Sequence, residues 1–478
     1  MSKLIRNTII YTVAGILPQL VNFVLLPVYT KYLTPGEYGI VNSMQVLGSI
    51  MLVVFTLAVE RGLYRIYYDY KTESERRDYL GTILTFIIFS STAIAGIMFA
   101  FAHVVVHIFS SIPFFPYFTY AILSSLLASF SLVPIIYFQI EEQASKYFFV
   151  SLGQFLLSAA ATVLLIVVYG QGAKGMLAAS VIAGLIFLPV FVYYSIRIAN
   201  IRFRWDALKK NIAFSVPLLP SIIMAWVMNV SDRIFVERFD SLADVGIYSL
   251  GYKLASITTL VAAGFFSAYT PVFYKTANTD DQEQAKNLLK SYNNKFLLAV
   301  LFLSFAVAFF AKELVLFLVN KKYYDAFTVI PVVSLAFFFS QGSGIFNLMI
   351  YQEKKTLQIM YITVSGGLFN IGGNFLLIPR FGYLGAAYST LATFFFLALV
   401  SFWYARRCYF VPLDWVKNVP AFIALTGICY AVNYLVPYSM IVLAFKILVF
   451  LLVLVYFDRE LKLYDYLLKR IRPVIRQI

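Results

Sequence analysis

YLTPGEYGIVNSMQVLGSI (residues 32–50) and FDSLADVGIYSLGYKLASI (239–257) align without gaps at an offset of 207, with five identities in nineteen positions. Glu37 falls on Asp244, Gly39 on Gly246 and Ser49 on Ser256; carried backward, the offset sets Asn22 on Asn229 and Lys31 on Arg238. A second match, at offset 210, lays GAKGMLAAS (172–180) against GYLGAAYST (382–390). Two matches at almost one spacing predict an internal duplication, and the kind of structure duplicated follows from composition.

Of 478 residues, 61% are hydrophobic and 13% charged, where a soluble chain carries about a quarter charged. Lipid must therefore solvate most of the chain. Windows of about 20 apolar residues, the length that crosses a hydrocarbon core, give fourteen expected spans. They cover 8–30, 38–60, 79–108, 116–139, 147–169, 175–196, 212–231, 245–270, 296–311, 326–351, 357–378, 383–404, 418–436 and 438–457. The last two are parted by a tight turn near Pro437. The basic start is followed by a long apolar run without a small-residue cleavage site, which reads as a retained first span.

With both termini cytoplasmic, 28 of the 38 Lys and Arg fall inside and 8 outside, while Lys253 and Lys446 lie within spans. Basic residues stay on the cytoplasmic side, so this orientation is expected and most of the +15 net charge is topology rather than a nucleic-acid surface. The longest inside segments, 61–78 and 271–295, are too short for a soluble catalytic domain. Cys408 and Cys429 fit neither a disulfide framework nor a zinc site.

A repeat of six spans keeps its orientation, so the two copies are expected to be related by an axis along the membrane normal, with a site between halves. The expected architecture is an all-α integral membrane protein. It has two six-helix lobes, 1–200 and 201–410, an extra helix pair at 411–457 and a basic cytoplasmic tail at 458–478.

In the second span Asn42, Gln45, Ser49, Thr56 and Glu60 share one helical face, and the offset places Ser249, Tyr252 and Ser256 against the first three. Such a stripe either lines a water-filled cavity or joins helices by hydrogen bonds. Lys253 sits about 12 Å into its span, a depth that demands water or a partner. Arg61 and Arg65, four apart, continue the face past Glu60; they either receive an anionic group or anchor the inner end, with Tyr64, Tyr67, Tyr68 and Tyr70 as an interfacial collar. Asp232 and Arg233 form either a local pair or part of a site, and Lys446 meets a phosphate, a carbonyl or a carboxylate. Glu60 and Asp232 are the acids placed to couple an ion. His103 and His107 have metal-compatible spacing but no neighbouring Cys or carboxylate, so no metal site is expected. The glycines of GGLFNIGGNF (366–375) read as close helix packing.

YLTPGEYGIVNS (32–43), RGLYRIYYDY (61–70), SDRIFVERFDSLADVGIYSLGYKL (231–254) and LLIPRFGYLGAAYST (376–390) resemble signature stretches of the polysaccharide transport family. These are the Wzx-like oligosaccharide flippases of the multidrug/oligosaccharidyl-lipid/polysaccharide exporter superfamily, and the resemblance runs through the whole chain in order. It implies an inner-membrane protein that moves polyprenyl-diphosphate-linked oligosaccharides to the outer leaflet by alternating access, beside polysaccharide-assembly partners; a two-lobed transporter can work as a monomer, and a monomer is the expected state. It also implies a groove by the last two helices for the lipid tail, where Lys446 is the candidate, and a cationic cavity, for which Arg61, Arg65, Lys253 and Arg233 are the matching residues. Asn22, Asn42, Gln45, Ser49, Asn229, Ser249, Tyr252 and Ser256 supply neutral hydrogen bonds. No cofactor is implied beyond H⁺ or Na⁺ as a coupling ion. The rival expectations are a cation-coupled multidrug exporter, which wants a buried carboxylate, and a membrane glycosyltransferase or polymerase, which wants catalytic carboxylates or a large external loop.

Overall fold

A computed structural model of the protein describes residues 3–432 and 439–461. Every regular element among them is a helix. Among the described residues twelve helices are long and apolar enough to cross a membrane, or thirteen when the bent pair Ile10–Val24 and Leu26–Tyr32 counts as one span. The expected fourteen is not confirmed among the described residues: the helix Trp415–Tyr430 has 16 residues, and the expected span 418–436 runs past the described residue 432. The turn near Pro437 and residues 462–478 of the basic tail lie outside the described residues.

The chain divides into two compact units, Met1–Ser249 and Leu250–Ile478. Unit 1 contains α1 (Lys3–Val24), α2 (Leu26–Tyr32), α3 (Pro35–Thr56), α4 (Val59–Ile66), α5 (Glu73–Ala100), α6 (Ala102–Val105), α7 (Thr119–Ile140), α8 (Ala144–Val163) and α9 (Gly172–Ile198). It continues with α10 (Trp205–Ser215), α11 (Leu219–Val230), α12 (Asp232–Phe239) and the start of α13 (Leu242–Ala255). Unit 2 holds the rest of α13, then α14 (Ile257–Ala277), α15 (Gln282–Phe309), α16 (Ala311–Leu318), α17 (Val329–Gln352), α18 (Thr356–Phe381), α19 (Tyr383–Ala405), α20 (Trp415–Tyr430) and α21 (Met440–Leu461).

The duplication is visible in element boundaries. At an offset of 207, the ends of α2 and α12 and the starts of α3 and α13 coincide. Both starts are capped alike: Glu37 N–H donates to Thr34 Oγ1 at 3.2 Å, and Asp244 N–H to Ser241 Oγ at 3.2 Å. The repeated acids are thus N-terminal capping residues. Four residues on, α3 and α13 cross within unit 1 where a Cβ on Gly39 would lie 1.9 Å from Leu242 O, and one on Gly246 2.0 Å from Pro35 O. Only two glycines let these backbones meet. At the second match Gly172 (φ +54°) and Gly382 (φ +58°) both open a helix from the left-handed region.

One expected span breaks. Leu57 (φ 48°) and Ala58 (φ 56°) both adopt left-handed backbone, ending α3 at Thr56 and starting α4 at Val59. Each such residue costs about 1–2 kcal/mol, and the surroundings hold it there. Ala58 and Val59 are buried, Ser90 on α5 donates its hydroxyl to Phe55 O at 2.7 Å, and Ala58 N–H reaches Thr56 Oγ1 at 3.3 Å. In a membrane interior a freed carbonyl needs such a donor. The side chains of α4, α5, α7 and α10 then close one core, around Leu63, Ile83, Val133 and Leu208. The expected loop at 271–295 is mostly helix, since α14 runs to Ala277 and α15 begins at Gln282.

Candidate functional site

Because α3 stops at Thr56, the polar face does not continue to Glu60 and Arg61 on a single helix. Thr56 is buried and bonds back to Leu52 O at 3.0 Å. The upper part of the stripe persists on α3. Asn42 Nδ2 donates to Tyr38 O at 2.7 Å, and Ser49 Oγ accepts from Trp226 Nε1 of α11 at 2.8 Å. Gln45 lines a cleft with serines of α7, α8 and α9. Asn22 is half-buried on α1, while Asn229 is exposed and bonds back to Ala225 O at 2.7 Å.

Beyond the break, α4 carries a charged cluster within unit 1. Glu60 Oε1 lies 3.5 Å from Arg61 Nε, and the Arg61 side chain is 58% exposed. Glu60 Oε2 is buried without a hydrogen-bond partner. Arg65 pairs with Asp69, whose other oxygen takes Lys210 of α10 at 2.8 Å. Lys210 first, and Arg65 with it, hold the Asp69 carboxyl below the usual carboxylate range. One positive charge is left over in this triad. The tyrosines do more than form a collar. Tyr64 bonds Gln139, Tyr67 donates to Glu141 Oε1 at 2.7 Å, and Tyr68 to Ile140 O at 3.1 Å, tying α4 and the turn after it to the end of α7. Burial, reinforced by Glu141, pushes the Tyr67 phenol up.

A second charged cluster sits on α12. Arg233 donates to Asp232 Oδ1 at 2.7 Å and to Asn229 O at 2.8 Å, while its guanidinium lies 5.1 Å from the Tyr248 ring centroid. Tyr248 also hydrogen-bonds Asp232 Oδ2. Of the two expectations for Asp232 and Arg233, the local pair is the one formed: both are buried, and both Asp232 oxygens are engaged. Sequence reasoning missed Glu237, 3% exposed, with Oε1 taking Ser111 N–H at 2.8 Å and Oε2 unpartnered. Its position near a helix end gave no sign of burial.

In unit 2, Lys253 is half-buried on α13 and makes no hydrogen bond or ion pair to the described residues. Tyr252 packs edge-on against Phe337, and Ser256 bonds Lys253 O at 2.7 Å. Ser249, the last residue of unit 1, is buried with its hydroxyl unpartnered. Lys446 meets two of the three partners the sequence left open, a carbonyl and a carboxylate. Its Nζ donates to Phe309 O at 2.8 Å and to Glu313 Oε2 at 3.0 Å, at 1% exposure. An apolar cavity of about 330 Å³ opens among α15, α17, α19 and α20, walled by Phe305, Leu335, Leu391 and Leu425; Lys446 does not line it. The glycine-rich stretch packs α18 on α19, where a Cβ on Gly373 would lie 2.5 Å from Ser389 Oγ. Asn370, Asn374, Ser389 and Thr393 form a buried neutral hydrogen-bond network there. Among the described residues no three His, Cys, Asp or Glu could hold a metal ion. His103 and His107 are exposed.

The family model for polysaccharide biosynthesis proteins matches residues 28–328, more than half of the chain. The chain belongs to this family. The fold agrees. The chain is similar to the lipid II flippase MurJ in an inward closed conformation, with TM-score 0.70 and 14% identity over 96% of this chain and 99% of that one. It is also similar to a multidrug resistance MATE family transporter of the MOP superfamily in its outward-facing conformation, with TM-score 0.56 and 14% identity over 85% and 95%. Among relatives, a protein of the Lsg locus of Haemophilus influenzae is 25% identical over 279 residues, 57% of this chain and 66% of its own length. A membrane protein of the same organism is 22% identical over 407 residues, covering 80% and 94%. This family member is therefore a multi-pass membrane protein with a two-lobed helical fold like those of MurJ and the MATE transporters.

Proposed function

We propose that this protein flips polyprenyl-diphosphate-linked oligosaccharides from the inner to the outer leaflet of the cytoplasmic membrane by alternating access, for cell-surface polysaccharide synthesis, with both termini cytoplasmic. The observation that carries this reading is Lys253, a membrane-helix cation without a partner among the described residues. A lysine at that depth costs a few kcal/mol unless water or an anion receives it. A diphosphate is such an anion, and charge-assisted bonds to it are strong. Arg61, mostly exposed, and the excess charge of the Arg65–Asp69–Lys210 triad suit an anionic headgroup at the inner mouth. The apolar cavity of unit 2 suits a polyprenyl segment. For ion coupling, Glu60 and Glu237 each keep an unpartnered buried oxygen, whereas Asp232 does not.

A cation-coupled drug exporter is the second reading, favoured by the burial of Glu237. The other buried acids among the described residues, Asp78, Asp232 and Glu313, are paired with Arg202, Arg233 and Lys446, which leaves little negative field for a cationic drug. The test is translocation of a fluorescent polyprenyl-diphosphate oligosaccharide in proteoliposomes. Lys253→Ala, correctly inserted, should lose about tenfold or more in rate, the equivalent of one charge-assisted hydrogen bond. Absence of transport by wild type across several glycans and ion gradients would refute the flippase reading in favour of the exporter.

A further inference from the structure

Unit 1 holds a cleft of about 430 Å³ whose chemistry differs from every charged cluster described above. Gln45 enters it from α3, Ser124 and Ser125 from α7, Ser151, Gln154, Phe155 and Ser158 from α8, and Ser180 from α9. No Asp, Glu, Lys, Arg or His lines it. Ser124 and Ser125 are satisfied by Ala121 O at 3.1 and 2.8 Å. The carboxamides of Gln45 and Gln154 and the hydroxyls of Ser151, Ser158 and Ser180 make no side-chain hydrogen bond to the described residues.

Gln45, Ser158 and Ser180 converge at one depth although their helices run in opposite directions, and Gln154 and Ser151 follow one and two turns along α8. Gln45 lies ten residues from the start of α3, Ser180 eight from the start of α9, and Ser158 ten before Val168 at the end of the span that contains α8. At 1.5 Å per residue each is about 12–15 Å from the same end, near the middle of a hydrocarbon core about 30 Å thick. Unpaired carboxamides and hydroxyls within the hydrocarbon core are costly against lipid, so a polar ligand or water must satisfy them.

We infer that this cleft is a sugar subsite selective for uncharged pyranoses, hexoses or N-acetylhexosamines, over anionic ones. The inference rests on the flippase reading for its place in transport, but its geometry stands alone. Each carboxamide offers both donors and acceptors, matching the mixed character of sugar hydroxyls and acetamido groups. Phe155 gives the apolar face of a pyranose ring a surface to pack on, and Gly48, Ala121 and Ala128 leave room beside it. The volume is within the range of small-molecule sites. A uronate would be desolvated there without a counter-ion, which disfavours it strongly.

The test uses the full chain in lipid nanodiscs and two photoreactive probes, diazirine-bearing β-glycosides of N-acetylglucosamine and of glucuronic acid, with labelled peptides mapped by mass spectrometry. The neutral probe should label residues 41–52 or 151–158 saturably, the anionic one far less, and Gln45→Leu or Gln154→Leu should each lower neutral labelling about tenfold, the loss of one or two hydrogen bonds. Gln154→Lys supplies a cation and should reverse the preference toward the glucuronide, a gain that misfolding cannot mimic. Equal labelling by both probes, or neutral labelling indifferent to all three substitutions, overturns the subsite. Parallel translocation of a neutral polyprenyl-diphosphate disaccharide separates the two readings. Transport with glutamine-independent labelling overturns the subsite alone. Glutamine-dependent labelling without transport supports the subsite and overturns the flippase.

Discussion

Replacing Lys446 with Met should destabilise unit 2 more than replacing both Lys446 and Glu313. Lys446 Nζ is 1% exposed and holds two acceptors, Phe309 O and Glu313 Oε2, from α21 across to the junction of α15 and α16. Glu313 is 5% exposed, and its second oxygen has no partner. Removing the lysine alone strands a carboxylate in an apolar surrounding that includes Phe309 and Phe310. Breaking a buried pair in this way costs about 3–5 kcal/mol, whereas exchanging the whole pair for apolar side chains of similar volume is often neutral. For a unit of this size the single substitution should lower the apparent melting temperature by about 10 °C in detergent. Glu313→Met leaves an ammonium with the Phe309 carbonyl and should fall between the two. The assay is a double-mutant cycle by scanning fluorimetry on Lys446→Met, Glu313→Met and the double variant. If the double variant is as unstable as the sum of the singles, the pair carries no coupling and the reasoning fails.

The left-handed pair at 57–58 makes Ala58→Gly stabilising by up to about 1 kcal/mol, because relief of the backbone outweighs the entropy the glycine adds to the unfolded chain; a lower melting temperature would show that the break is unstrained. At the α3–α13 crossing, Gly246→Ala drives a Cβ toward Pro35 O and should cost about 1–3 kcal/mol. Gly39→Ala added to it should cost little more, since one separation of the helices relieves both contacts; full additivity would contradict a shared crossing. The Asp69 tie to Lys210 and Arg65 should be flat in pH above about 5, because a carboxyl held below its ordinary range keeps its full contribution above the unfolded value near pH 4 and loses it as pH falls through the lower folded value. The melting-temperature gap between wild type and Asp69→Asn checks this. It should be constant from pH 5 to 8 and close below about pH 4; a gap that instead widens in acid would be incompatible.

The membrane character, the helical class and the duplication are legible in the residues because each rests on local or periodic chemistry. Apolar windows of bilayer length mark spans wherever they fall, and the match between 32–50 and 239–257 marks a start used twice, with its cap at Thr34/Glu37 and Ser241/Asp244 and its crossing at Gly39/Gly246. The helix count is less legible, because the expected span 418–436 is described only to residue 432 and its α-helix, Trp415–Tyr430, has 16 residues. The break at Leu57–Ala58 has no glycine or proline to announce it; Ser90, 35 residues away, accommodates it by taking the freed carbonyl. That break is why the stripe from Asn42 to Glu60, continuous by spacing, is divided in space.

Charge is where composition and structure part most clearly. Arg233, Lys446 and Lys253 are alike in sequence, cations in or beside apolar runs. Asp232 and Tyr248 enclose the first, Glu313 and Phe309 O the second, and no described side chain pairs with the third. Glu237 and the amides of Gln45 and Gln154, which have no side-chain partner among the described residues, follow the same rule. A residue's type and helical phase fix what it can bond and which neighbours on its own helix share its face. Whether a charge or an amide is left open for a ligand depends on atoms contributed by other helices, tens to hundreds of residues away, and only the tertiary structure brings those together.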